Sequence, residues 1–208
     1  MSYRDLADQV SQRADTWRAT GLRAGDRVGI AAVRSVDTVV SILAALEAGL
    51  AYVPLDLSYP ADRLQAMLED AQVRAVVGED SALDGLQQAV GNLPTLASLA
   101  PSGPPLHAGD GDLVYVLFTS GSTGRPKGVA MGAGPLAGLI DWHVRHPRLG
   151  QPARTLQFAP LSFDVHFQEI AGTVATTRPG RCWAKVARTR RMPRAHDTAT
   201  MRSTRGSG

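Results

Sequence analysis

The chain reads as an α/β protein built on mostly parallel sheets flanked by helices. Short apolar, β-prone runs alternate with amphipathic stretches of helical length between residues 3 and 170. Strands that alternate with helices pair in parallel, because each return to the sheet needs a crossover. The 208 residues are 44% hydrophobic, which is material for a packed core in one domain or at most two. No internal repeat divides them.

The elements follow in order. Leu6, Val10, Ala14 and Trp17 recur at helical spacing over residues 3–19, and Gly21 ends that helix. Residues 27–33, RVGIAAV, form a short buried strand. Over residues 35–48, Val39, Ile42, Leu43 and Leu46 share one helix face, with Gly49 as the stop. Residues 52–55 are a short extended piece. Pro60 then opens a helix over 61–70, since its fixed φ suits a first turn, with Leu64, Met67 and Leu68 inward. A strand at 73–77 and a helix at 82–90 come next. Residues 94–112, rich in Pro, Gly, Ser and Ala, are a surface connection. The last elements are a hairpin, a helix around 136–146, a strand at 154–158, and a helix from Asp164 in which Phe163, Phe167 and Ile170 pack inward.

The hairpin carries the chemistry. Residues 113–128, LVYVLFTSGSTGRPKG, run from an apolar strand into a loop of glycines and hydroxyls that ends in a lysine. Gly121 and Gly124 let backbone N–H groups approach an anion. Thr119, Ser120, Ser122 and Thr123 add hydroxyl donors, and Lys127 adds a point charge. Of 22 basic residues only Lys127 and Lys185 are lysines, so a lysine inside this loop marks a need for a compact ammonium. The spacing is not that of the P-loop, which places G-K-[ST] at a helix start. Pro126 blocks a helix within the loop, and residues 128–131 read as a return strand, giving a β–loop–β clamp for a polyphosphate.

Charge and composition exclude several other classes. No run approaches the roughly 18 apolar residues of a membrane helix, and the start MSYRDLADQV lacks a secretory core. A cytoplasmic location is expected. The single Cys182 rules out a disulfide framework, and the five histidines show no ligand spacing, so no metal site is expected. Residues 1–170 hold 13 Lys/Arg against 18 Asp/Glu, a net −5, while residues 171–208 hold 9 Lys/Arg against Asp197 alone, a net +8. The net +3 of the chain therefore belongs to the tail. Such a tail could be a nucleic-acid arm, but no organising motif accompanies it.

Four segments together resemble the adenylate-forming enzymes, and within them the amino-acid adenylation domains of nonribosomal peptide synthetases. FTSGSTGRPKGV at 118–129 is similar to their signature loop. AGLAYVPLD at 48–56, followed by YPADRL at 59–64, resembles the stretch "KAGxAYVPLDPxYPxxRL", with Glu47 where a lysine is common. GDRVGI at 25–30 resembles an early strand, and QFAPLSFD at 157–164 resembles the "FDxS" core that begins the substrate pocket.

The resemblance implies a partial N-terminal subdomain of an adenylate-forming enzyme over residues 1–170. It implies ATP and Mg²⁺ as cofactors, with residues Thr119, Ser120, Gly121, Ser122, Thr123, Gly124 and Lys127 on the β- and γ-phosphates. Asp164 matches the aspartate that pairs with the substrate α-ammonium, although it could equally cap a helix. Val165 and Gln168 fall at pocket-lining positions and hint at a modest, proline-like substrate, while His166 replaces the usual small Ser. An amino-acid substrate and a carrier-protein domain are the implied partners. The adenine-binding motif, the ribose-binding aspartate and the subdomain with the catalytic lysine are not found, so no catalytic residue is assigned and an inactive fragment is expected.

Beyond Ile170 the resemblance stops within a few residues, and the Arg/Thr/Pro/Ala mixture that follows has no hydrophobic period. Residues 171–208 are expected to be a disordered tail, of the composition that a GC-rich gene yields when read out of frame. Two other functions compete: a polyphosphate-binding module that kept the clamp without catalysis, and a basic-tailed nucleic-acid-binding protein.

Overall fold

The computed structural model of the chain describes residues 1–91, 96, 113–119 and 125–177. The expected loop at 120–124, the basic tail from 178 onward and, apart from Leu96, the connection at 94–112 lie outside the described residues.

Among the described residues helices and strands follow one another as α1 (Tyr3–Ala19), β1 (Arg27–Ala31), α2 (Val36–Ala48), β2 (Ala51–Leu55), α3 (Ala61–Asp70), β3 (Ala75–Val77), α4 (Asp80–Val90), β4 (Leu113–Thr119), β5 (Lys127–Gly132), α5 (Ala133–Arg145) and α6 (Val165–Thr177). The strands form one sheet in the order β3-β1-β2-β4-β5. All its pairings are parallel except the β4–β5 hairpin.

Helix ends are set by local chemistry. Ser2 caps α1 by accepting from the Asp5 N–H at 3.2 Å while the Asp5 carboxylate accepts from the Ser2 N–H at 2.7 Å. Ser35 caps α2 by accepting from the Thr38 N–H at 3.1 Å. Gly49 closes α2 at φ 77°, a left-handed conformation that glycine takes at least cost. Arg13 fastens α1 to α2 through Asp37 at 2.5 Å and the Ser41 hydroxyl at 2.6 Å. In the YPADRL stretch, the Arg63 guanidinium lies 3.9 Å over the Tyr59 ring, which ties the turn before α3 to its first turn.

Strand alternation sorts the core onto two faces. Tyr52, Tyr115 and Leu117 point into a cluster with Trp17 of α1, Ile42 and Leu46 of α2, Leu136 and Ile140 of α5, and Phe167 of α6. Val53, Leu55, Val116 and Phe118 point the other way, onto Leu64 and Met67 of α3 and Leu86 of α4. Pro54 sits in a central strand although it has no N–H to donate. The ladder from β2 to β4 registers at Tyr52↔Tyr115, two residues short of it.

Two expectations are corrected. Residues 154–158 form no strand: their Leu156/Phe158 alternation is that of a strand, but no neighbouring strand pairs with it among the described residues. Phe163 does not pack inward; it is 61% exposed in the turn before α6, whereas Phe167 and Ile170 are buried as expected. Helix α6 continues through residue 170 to Thr177 and buries Ala171 and Ala175. No described helix is long and apolar enough to cross a membrane.

Candidate functional site

The hairpin is built as a clamp. Thr119, the last residue of β4, pairs with Lys127, the first of β5, and its hydroxyl donates to the Lys127 carbonyl at 3.5 Å. Both residues are exposed, so the foot of the loop carries a hydroxyl and an ammonium side by side. None of the described carboxylates lies within salt-bridge reach of Lys127. Gly128 allows the strands to close: a Cβ there would stand 3.1 Å from Val116 Cγ1 and 3.3 Å from Phe118 Cε1. Since β1, β2 and β4 run parallel, the loop leaves from their shared carboxyl edge, where open α/β sheets bind ligands.

The residues expected at the substrate pocket lie on another element. Asp164 is exposed in the turn before α6, and the Phe167 N–H donates to its carbonyl at 3.0 Å. Val165 is 51% exposed. Gln168 is half-buried, with its amide nitrogen 3.3 Å from His143 Nδ1 on α5. The segment leading in is pinned twice: Arg34, just past β1, donates to the Phe158 carbonyl at 2.8 Å, and the Ala159 N–H donates to the Glu169 carboxylate at 3.2 Å. Ser120, Gly121, Ser122, Thr123 and Gly124 lie outside the described residues. Among the described residues no three metal-ligand side chains come together.

Between these parts lies a buried aromatic cluster. His166 is fully buried, with Nε2 2.7 Å from the Tyr52 hydroxyl and Nδ1 on the Phe163 carbonyl. A carbonyl only accepts, so its partner assigns the proton to Nδ1, and Nε2 accepts from the Tyr52 O–H. Tyr115 lies 5.7 Å from Tyr52 and 6.1 Å from His166 between ring centroids, and 5.9 Å from Phe167. Burial pushes the Tyr52 phenol well above its ordinary range, and burial followed by the Asp164 charge raises Tyr115. Burial lowers the His166 imidazole, against the opposing pull of the Phe163 carbonyl, Glu169 and Asp164.

That shift has a sign. The unfolded imidazole takes up a proton near 6.5 and the folded one resists it, so stability is complete above 6.5 and falls as pH drops below it. The melting temperature is expected to fall more steeply from pH 7 to 5 in the native chain than in His166→Gln. Parallel curves would contradict the assignment.

The sequence brought Thr119 and Lys127 to one point and set Asp164, Val165 and Gln168 around the start of α6, as the structure does. It did not reveal the Tyr52–Tyr115–His166 contact. The available signal was an imidazole where a small residue is usual, beside a tyrosine in the AYVPLD stretch.

A mostly parallel α/β sheet with a hairpin leaving its carboxyl edge is an arrangement in which ligands bind at that edge. The chain belongs to the AMP-binding enzyme family, whose profile matches residues 1–197. It is 38% identical over 177 residues to enterobactin synthase component F of Escherichia coli K12, a match covering 81% of this chain and 13% of that protein. It is 34% identical over 184 residues to bacitracin synthase 3 of Bacillus licheniformis, covering 84% of this chain and 3% of that protein.

Among solved structures, it resembles a four-domain nonribosomal peptide synthetase bound to AMP and glycine. The TM-score is 0.67 at 29% identity, over 84% of this chain and 13% of the other. It also resembles the N-terminal subdomain of Klebsiella oxytoca NpsA in complex with 3-hydroxyanthranilyl-AMSN. There the TM-score is 0.62 at 29% identity, over 85% of this chain and 45% of that subdomain. The chain thus corresponds to an N-terminal part of an adenylation domain of the nonribosomal peptide synthetase kind, and spans a small share of the curated relatives it matches. These matches lend no support to a separate polyphosphate-binding module or to a nucleic-acid-binding protein.

Proposed function

We propose that the chain supplies the phosphate clamp and the first wall of the amino-acid pocket in an ATP-dependent amino-acid-activating domain. The observation that carries this reading is the β4–β5 hairpin, whose foot sets Thr119 against Lys127 at the carboxyl edge of a parallel sheet. Thr119, Ser120, Gly121, Ser122, Thr123, Gly124 and Lys127 hold the β- and γ-phosphates, and Mg²⁺ arriving with the nucleotide would neutralise phosphate charge there. Asp164 receives the α-ammonium of the amino acid, and Val165 and Gln168 face its side chain.

In the reaction of the complete domain, a substrate carboxylate oxygen attacks the α-phosphorus of ATP and pyrophosphate leaves. The aminoacyl group then passes from the adenylate to a carrier-protein thiol, forming a thioester and releasing AMP. This part of the machinery contributes positioning and charge neutralisation. The setting proposed for it is the cytoplasm, where ATP is plentiful. The division into an adenylation-type body and a basic remainder belongs to the same proposal, with the boundary moved from residue 170 past the end of α6 at Thr177.

The test uses two stable adenylate mimics, L-prolyl sulfamoyl-adenosine and its cyclopentanecarbonyl counterpart, which lacks the amine. Calorimetry of the 208-residue chain is expected to give about tenfold tighter binding of the prolyl compound, the weight of one charged hydrogen bond. Asp164→Asn is expected to erase that difference. Equal binding of both compounds by the native chain would remove Asp164 from its role. ATP–pyrophosphate exchange driven by an amino acid would show that the chain is active alone, against this proposal.

A further inference from the structure

His166 is a buried imidazole that the reaction does not consume, and it is set in a specific frame. On one side the Phe163 carbonyl receives two donors from this residue, the backbone N–H at 3.3 Å and Nδ1–H. That carbonyl shares a rigid peptide plane with the Asp164 N–H, so fixing it fixes the direction in which Asp164 leaves the turn. On the other side Nε2 takes the hydroxyl of Tyr52, which is fully buried and registers with Val28 of β1 and Tyr115 of β4. A continuous set of contacts therefore runs from the middle of the sheet to the residue before Asp164. A serine at this position is too short to reach Tyr52 from α6.

We propose that His166 is a positioning residue: it splints the Phe163–Asp164 peptide to Tyr52 of the sheet and so aims the Asp164 carboxylate at the substrate ammonium. The inference rests on the assignment of Asp164 made above. The splint is made of a neutral ring. The groups that bear on it are Tyr52 from β2, Tyr115 from β4, and Asp164 and Glu169 beside it in sequence. Protonation of Nε2 removes its lone pair and with it the bond from the Tyr52 O–H.

Two variants of the full chain separate the contacts. Tyr52→Phe keeps the ring packing and removes the hydroxyl. His166→Asn keeps an N–H close to the place of Nδ1 and loses the reach to Tyr52. Amide hydrogen exchange at residues 164–167 is expected to rise about five- to tenfold in each, as for one neutral hydrogen bond, while amides of residues 28–31 stay unchanged. The preference for L-prolyl over cyclopentanecarbonyl sulfamoyl-adenosine is expected to shrink in both variants although Asp164 is intact.

Exchange that is unchanged, or that rises uniformly through the sheet, overturns the splint and leaves His166 as an ordinary core residue. Variants that still discriminate as the native chain does overturn the positioning role alone. A native chain that does not discriminate removes the Asp164 assignment and the positioning role with it, whereas the exchange result still decides the splint.

Discussion

Lys127→Ala is expected to cost the chain at least tenfold in affinity for ATP while leaving the affinity for AMP unchanged. On the proposed role of Lys127 its ammonium meets the outer phosphates, which AMP lacks, and a charged hydrogen bond contributes on the order of 1.5–3 kcal/mol. Lys127 stands exposed at the foot of the hairpin, opposite Thr119, so its removal leaves no buried cavity and the fold is expected to survive. Lys127→Arg serves as a companion. It keeps the charge, but a planar fork is a poor substitute for a point charge in a narrow loop, and its affinity should fall between the two. Fluorescence titration with the two nucleotides decides the matter. An equal loss for ATP and AMP would move Lys127 away from the outer phosphates.

Phe167→Ala is expected to destabilise the chain by about 3–5 kcal/mol, the usual result of truncating a buried aromatic ring. Phe167 is 1% exposed and 5.9 Å from the Tyr115 ring, so it is where α6 is seated on the sheet. Against a total stability of roughly 5–15 kcal/mol for a natural domain, that loss approaches unfolding. Phe163→Ala, four residues earlier, is the control. Its ring is 61% exposed, and the expected change is within about 0.5 kcal/mol. Urea denaturation of both variants measures the contrast. Similar losses would mean that α6 is not anchored through Phe167.

These two phenylalanines also mark where the sequence was legible. Helical spacing placed Phe167 and Ile170 on the buried face of α6, because within a helix the face follows from the period. Phe163 precedes the helix, where that period no longer dictates direction, and it turns outward. The same distinction explains residues 154–158. Alternation records what a strand could bury, but a strand also needs a neighbour to pair with, and none of the described strands takes that place. Gly49 was readable as a helix end because capping is a short-range affair. The hairpin was readable for the same reason, since Thr119 and Lys127 are eight residues apart. The Tyr52–His166 bond joins residues 114 apart, and chain-local reasoning offers no route to such a pair.

The Tyr52↔Tyr115 pair has a mechanical meaning as well. Strands β1 and β2 are laced through five successive pairs, from Arg27↔Ala51 to Ala31↔Leu55, whereas β2 meets β4 in register at that one rung. Beyond it stands Pro54, whose ring nitrogen cannot donate. The β2–β4 junction of the sheet therefore rests on one rung of the ladder and on a knot of rings on one side of it. Load applied across the strands at that junction bears on one backbone rung and the ring contacts, and what lies beyond it is the β4–β5 hairpin.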